Sequence, residues 1–322
     1  MKQRTKRYLR RYIPLLVSIV LVIVLVGYAP WGQVGKILAD FDLGSILLLI
    51  GLSLIYYALK TIRFWYLLQA MHIHQPLNVV AVSYISAQPV SLLPAGEIYR
   101  SHELRKHTGV PIEASLPQFT MQGILEGGAM ALLMLISALA LGTLRLPAII
   151  LAAFVLLLII AISRGYVSNA TRLANRLPFV NLTEKSIQRF SKRHKAVLTW
   201  HWLPFLFGLS LLIELSGTAI AYTAVTGVGG HINFYQAALL YIIPVIIGFI
   251  SLLPGGIGIS EQSAVGLLLL SDVSVAHAVA STLIMRVTIV GLGVIYGCVA
   301  LLIGRFRLQK VTVQPKAANL HP

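Results

Sequence analysis

The chain reads as an all-α polytopic membrane protein: about six full transmembrane helices plus two re-entrant helical hairpins, arranged as an inverted-topology repeat. Three observations predict this. Hydrophobic residues make up 57% of the 322, charged residues only 11%, and the mean hydropathy is +0.83. Of the 26 Lys and Arg, 23 fall on segments assigned to one side when the full spans alternate and the two Pro/Gly-broken runs turn back without crossing. Finally, Ser91-Leu92-Leu93-Pro94 returns as Ser251-Leu252-Leu253-Pro254, so the second copy lies 160 positions after the first in a chain whose half-length is 161. Each copy ends an apolar run with Pro and Gly. Such breaks are tolerated at membrane depth only where the freed backbone groups face protein or a water-filled cavity. Breaks at matching places in two halves are the sequence pointer to a binding site in a repeat-built transporter.

In order, the first span covers about Ile13 to Ala29 behind six basic residues. Pro30-Trp31-Gly32 after it is a poor cleavage site, so an uncleaved helix is expected rather than a signal peptide. An outer loop, Pro30 to Leu43, leads to a second span, Gly44 to Leu68. Near the inner end of that span Lys60 and Arg63 are placed to snorkel to headgroups, and Tyr56, Tyr57, Phe64, Trp65 and Tyr66 to form an interfacial aromatic belt. Leu77 to Leu93 then runs into the first break at Pro94–Gly96. The stretch Glu97 to His107 is too polar to cross lipid and basic enough to belong inside, so this pair of segments is read as a hairpin entering from the cytoplasm. Spans three (Gln118–Gly142) and four (Leu146–Ser163) follow, then a basic cytoplasmic linker, residues 164–202, with an interfacial helix expected over Glu184 to Leu198.

The second half repeats the plan. Span five is Leu203 to Val225. Phe234 to Leu253 enters from the opposite side, breaks at Pro254, and returns as Glu261 to Leu270. Span six is His277 to Ile303. Residues 44–142 and 203–303 are thus read as the two halves of one membrane domain, 1–322.

The charge of +16 excludes little by itself, but its distribution follows the positive-inside rule. It therefore reports orientation and attraction to anionic inner-leaflet lipid, and no nucleic-acid partner is expected. His72 and His74 lack a third ligand, so no metal site is expected. Gly35-Lys36 is not a phosphate loop, so no cofactor is implied. The lone Cys298 allows no intrachain disulfide.

Only ten residues are acidic, yet Glu97, Glu126, Glu214 and Glu261 fall at breaks or inside spans. Arg100 lies one turn beyond Glu97, and Arg286 lies inside the last span. Ionisable groups at bilayer depth cost several kcal/mol and mark a polar cavity or a helix-locking pair. The glycines at 255, 256 and 258 let backbone N–H groups approach a ligand, with Ser260 expected to cap the helix that starts near Glu261. Glu97, Arg100, Gly255, Gly256, Gly258, Ser260, Glu261 and Arg286 are the candidate substrate-binding residues. Glu126 and Glu214 are further candidates for the cavity, and Pro94, Gly96 and Pro254 are the hairpin breaks.

Three segments, Pro94-Ala95-Gly96-Glu97-Ile98-Tyr99-Arg100, Pro254-Gly255-Gly256-Ile257-Gly258-Ile259-Ser260-Glu261 and Ala280-Ser281-Thr282-Leu283-Ile284-Met285-Arg286, resemble the membrane region of lysylphosphatidylglycerol synthase, a region also found in stand-alone flippase-like bacterial and archaeal proteins. The resemblance covers about residues 10–305. It implies lipid translocation between leaflets of the bacterial cytoplasmic (inner) membrane, with both termini cytoplasmic. Bifunctional members carry an aminoacyl-transferase domain after this region. The chain ends soon after the last span, so that enzymatic activity is expected to be absent. The implied substrate is a membrane phospholipid or lipid-linked headgroup, and further partners are a second copy of the chain or a lipid-biosynthesis enzyme. Two other classes fit less well. One is an integral glycosyltransferase or lipid-modifying transferase using Asp40 or Asp42, the other a non-transporting subunit of a lipid-pathway enzyme.

Overall fold

A computed structural model of the chain describes residues 20, 23, 26–91, 96–115, 117–141, 145–163, 202–251 and 253–307. The described residues are helical, with no strand among them. Among the described residues four helices are long and apolar enough to cross a membrane: α2 (Leu43–Ala70), α5 (Pro117–Ala140), α7 (Trp202–Gly227) and the segment Val275–Leu302. The last comprises α10 (Val275–Arg286), a π-helical stretch (Val287–Gly291) and the start of α11 (Leu292–Arg307). A further apolar helix, α6, covers Arg145–Ser163. Most of the first expected span, the interfacial helix over Glu184–Leu198, the first break at Pro94 and the side chain of Glu97 lie outside the described residues.

Local chemistry fixes the ends. Asp42 caps α2 by accepting from Ser45 N–H at 2.9 Å, and the side-chain and backbone hydrogen bonds from Ser45 hold its carboxyl below the ordinary aspartate value. Asn233 and Gln236 form a reciprocal capping box at the start of α8 (Phe234–Ile250). Ser274 caps α10.

The expected outer loop contains a helix, α1 (Trp31–Ala39), whose Val34 is buried; α1 packs against α10. Its apolar positions recur with helical period, a signal that proximity to Pro30 and to the acids obscured.

Both broken segments fold back on themselves. In the first half, α3 (Leu77–Ser86) continues through a one-turn helix, Gln88–Ser91, and packs against α4 (Gly96–Thr108). In the second half, α8 packs against α9 (Ile259–Leu269) across a 3₁₀ turn at Pro254–Gly256. At about 1.5 Å per residue, α3 and α8 extend about 15 Å and about 26 Å, short of the roughly 30 Å of a hydrocarbon core.

The segments 44–142 and 203–303, read from the sequence as halves, interlock crosswise. The first helices, α2 and α7, pack on each other. Arm α3 of the first hairpin lies on α11, the end of the second half, while arm α8 of the second lies on α5, the end of the first. Close approaches are made by glycine. Gly297 of α11 faces the Ile85 carbonyl and the Pro89 ring, and Gly217 of α7 faces the Tyr241 ring.

The last span is not one regular helix. Its π stretch leaves carbonyls off the α-helical ladder, and α2 satisfies two of them: Ser53 Oγ donates to Thr288 O at 3.1 Å, and the Tyr57 hydroxyl donates to Ile289 O.

A Cβ at Gly297 would stand 2.9 Å from the Ile85 carbonyl oxygen, which backbone cannot yield cheaply. Gly297→Ala is therefore expected to lower stability by about 1–3 kcal/mol. Gly266→Ala in α9 meets no atom within 4 Å and is expected to be neutral or stabilising by up to about 1 kcal/mol. Thermal unfolding of the purified protein in detergent checks both.

Candidate functional site: two charge clusters inside the bundle

The structure divides the predicted site residues between two places. The first is built on α2. Tyr56, Lys60 and Arg63 stand at i, i+4 and i+7, one face of a helix, and that face turns inward. Arg63 is 1% exposed. Its guanidinium forms an ion pair and a hydrogen bond with Glu126 of α5, and donates from Nη1 to Ser210 Oγ of α7 at 3.0 Å. Lys60 Nζ lies 3.6 Å from the same carboxylate oxygen and 4.6 Å from the centre of the Tyr56 ring. Gln122 Nε2 completes the set at 3.4 Å from Glu126.

This corrects two sequence expectations. Lys60 and Arg63 do not snorkel; they meet a carboxylate in the bundle. Tyr56, Tyr57 and Phe64 are buried rather than belted at an interface. Snorkelling and inward pairing have the same local signature, a cation near a helix end, and the partner that decides between them is 63 residues away.

Glu214 belongs to this cluster. It sits one turn beyond Ser210 on α7, fully buried, within reach of the charges of Glu126, Lys60 and Arg63 and beside the Tyr241 hydroxyl. Tyr241 in turn meets the Tyr56 hydroxyl at 3.2 Å. Arg100 of α4 is buried, its guanidinium 4.3 Å over the Tyr84 ring. Farther along α4, buried Glu103 holds His107 at 3.4 Å and Lys106 at 3.8 Å.

The second place is the second break. Gly255, Gly256 and Gly258 all have positive φ (60°, 65° and 90°), a region that glycine alone enters freely. Glu261 binds with both oxygens. Oε2 accepts from the Gly258 N–H at 2.7 Å, and Oε1 pairs with the Arg286 guanidinium. Arg286 Nη2 also donates to the Gly255 carbonyl at 3.3 Å. Arg286 keeps 29% of its side chain exposed and Glu261 12%.

The cap of α9 is thus Gly258 with Glu261, not Ser260. Ser260 lies inside the helix, buried, and its hydroxyl donates to the Pro244 carbonyl at 2.9 Å. It fills the space where Gly248 and Gly256 bring the two hairpin arms together. The spacing from Gly258 to Glu261 is that of a capping box, a signal the sequence did contain.

The two clusters are related by their spacing in sequence. Glu126 and Arg286 are 160 residues apart, as are Pro94 and Pro254. The offset that carries break onto break therefore carries the anion of one pair onto the cation of the other. Among the described residues no group of three or more His, Cys, Asp or Glu could hold a metal ion.

A profile of the lysylphosphatidylglycerol synthase TM region matches residues 13–297. The chain belongs to that family. It is a multi-pass membrane protein, and no curated protein matches it in sequence.

Removing one member of a buried ion pair strands the other, at a cost of about 3–5 kcal/mol. Glu126→Gln is therefore expected to destabilise the protein by that order, and Arg63→Met with Glu126→Leu by less than Glu126→Gln alone. Thermal unfolding of the three proteins gives the comparison.

Proposed function

We propose that the protein moves a phospholipid or lipid-linked headgroup between the leaflets of the bacterial cytoplasmic membrane, by alternating access between two halves of opposite topology. Family membership supports a lipid-facing role. The crosswise packing of α3 on α11 and α8 on α5 supports reading residues 44–142 and 203–303 as two related halves. Hairpin arms too short to cross a bilayer support re-entrant entry, the first from the cytoplasm and the second from outside.

The observation that carries the reading is the ligation of Arg286. A partly exposed guanidinium is held at a glycine-rich break by a carboxylate oxygen that can be exchanged. A lipid phosphate presents the same chemistry and forms the same bidentate pairs with arginine. Displacing Glu261 Oε1 leaves Oε2 on the Gly258 N–H, so the α9 terminus stays capped while the headgroup is bound. The neighbouring apolar residues Phe249, Ile250 and Val287 are exposed, offering acyl chains a surface continuous with lipid. Glu97 and Arg100 serve the corresponding step at the first hairpin. Asp42, one of the two acids of the transferase reading, is engaged as a helix cap.

The test is a leaflet-resolved assay with fluorescent phospholipid in vesicles containing the purified protein. Arg286→Ala is expected to slow translocation at least about tenfold, the equivalent of about 1.4 kcal/mol. Wild-type rates in a folded, inserted Arg286→Ala protein would remove this residue from the mechanism.

A further inference from the structure

Glu214 is a carboxyl group in the middle of α7 that the translocation step leaves unused. Its surface is 1% exposed, and Oε2 has no hydrogen-bond partner among the described residues. Four helices pack around α7. From them Glu214 is faced by Tyr56, Lys60 and Arg63 of α2, Glu126 of α5 and Tyr241 of α8. The fourth, α10, buries Ser281 and Thr282, and its one arginine is engaged by Glu261. Two carboxylates therefore share the cations of α2. In the arrangement observed, Arg63 and Lys60 are both turned to Glu126.

Arg63 is placed to change that. One arm of its guanidinium is on Glu126, and the other donates to Ser210, one helical turn from Glu214 on the same helix. The arm on Ser210 is the one that an exchange would turn to the Glu214 carboxylate. A buried carboxylate without a hydrogen-bonded cation is costly, so the charged form of Glu214 gains from an Arg63 turned to it.

We propose that Glu214 is a proton-binding site whose occupancy exchanges with an Arg63 contact. The balance is simple. A proton from water joins the Glu214 carboxylate to give the neutral acid, the site gains one positive charge, and Arg63 keeps its own protons throughout. With the proton bound, Arg63 belongs to Glu126; with the proton gone, it bridges Glu126 and Glu214. Arg63 lies on the first helix of one half and Glu214 on the first helix of the other, so the exchange alters how α2 and α7 are held together. A transmembrane proton gradient would then supply the energy for movement between the halves. That coupling rests on the translocation reading, whereas the proton site does not.

Infrared spectroscopy of the purified full-length protein in lipid, titrated with acid and base in sodium and in potassium buffers, tests the site. The expected result is a protonated-carboxyl stretch that shifts in heavy water, disappears on alkalinisation and is lost in Glu214→Gln. Should that variant fail to fold, Glu214→Asp keeps the carboxyl and is expected to move the band. A wild-type protein with no such band, a band that survives Glu214→Gln or is unmoved by Glu214→Asp, or a band that sodium removes at fixed pH would overturn the proposal, the last by making this a metal-cation site. In the vesicle assay, an imposed pH gradient is expected to accelerate wild-type translocation, with that acceleration lost in Glu214→Gln. A band that behaves as expected with no gradient effect would overturn the coupling alone. An absence of translocation under every condition would overturn the transport reading instead.

Discussion

The arrangement depends on Arg63 meeting Glu126 inside the bundle. An arginine buried to 1% exposure in a membrane helix is tolerated only with its charge matched. Here the match comes from α5 and a further acceptor from α7, so one side chain ties three of the long helices together. Lys60 adds a second cation to the same carboxylate, and Tyr56 and Tyr241 surround the group with hydroxyls rather than with lipid. The packing of α2 on α7, the interface between the first helices of the two halves, is organised around this point.

A second pair lies at the second break. Arg286, 160 residues after Glu126 in sequence, meets Glu261 at the rim of a broken helix rather than an arginine on a continuous one. The contrast in setting separates two jobs. The Arg63 cluster is buried and shared among helices, which suits it to holding the bundle and to responding to a single proton. The Arg286 pair is partly open and rests on glycine backbone, which suits it to exchanging partners with a headgroup. Beside it, the π stretch at Val287–Gly291 keeps the last span pinned to α2 through Ser53 and Tyr57, so a change at Arg286 is next to a contact between halves.

How much of this the sequence made legible follows from the range of each interaction. The long spans came within a few residues of α2, α5 and α7, because crossing lipid is a demand on length and polarity that neighbouring residues meet by themselves. The second break was legible for the same reason: Pro254 and three glycines can only interrupt a helix. What was missed depends on partners far along the chain. The inward turn of Lys60 and Arg63 is decided by Glu126, the burial of Ser260 by Gly248 and the Pro244 carbonyl, and the π stretch by hydroxyls on α2 more than 230 residues away. Of the candidate residues, Glu261, Arg286 and Gly255 were brought together as a set, whereas Arg100 joined the Tyr84 ring instead. The α1 helix was hidden for a different reason, since a short amphipathic helix between two spans has the composition of a loop.

In the proposed mechanism the two broken hairpins open to opposite faces of the membrane. Side-specific labelling tests it most directly. With Cys298 replaced by Ser, single cysteines at His102 in the first hairpin and Ile257 in the second, both exposed in the structure, would be treated with a membrane-impermeant maleimide in vesicles of each orientation. His102→Cys is expected to react from the cytoplasmic side and Ile257→Cys from the other. Reaction of both from the same side only would contradict it.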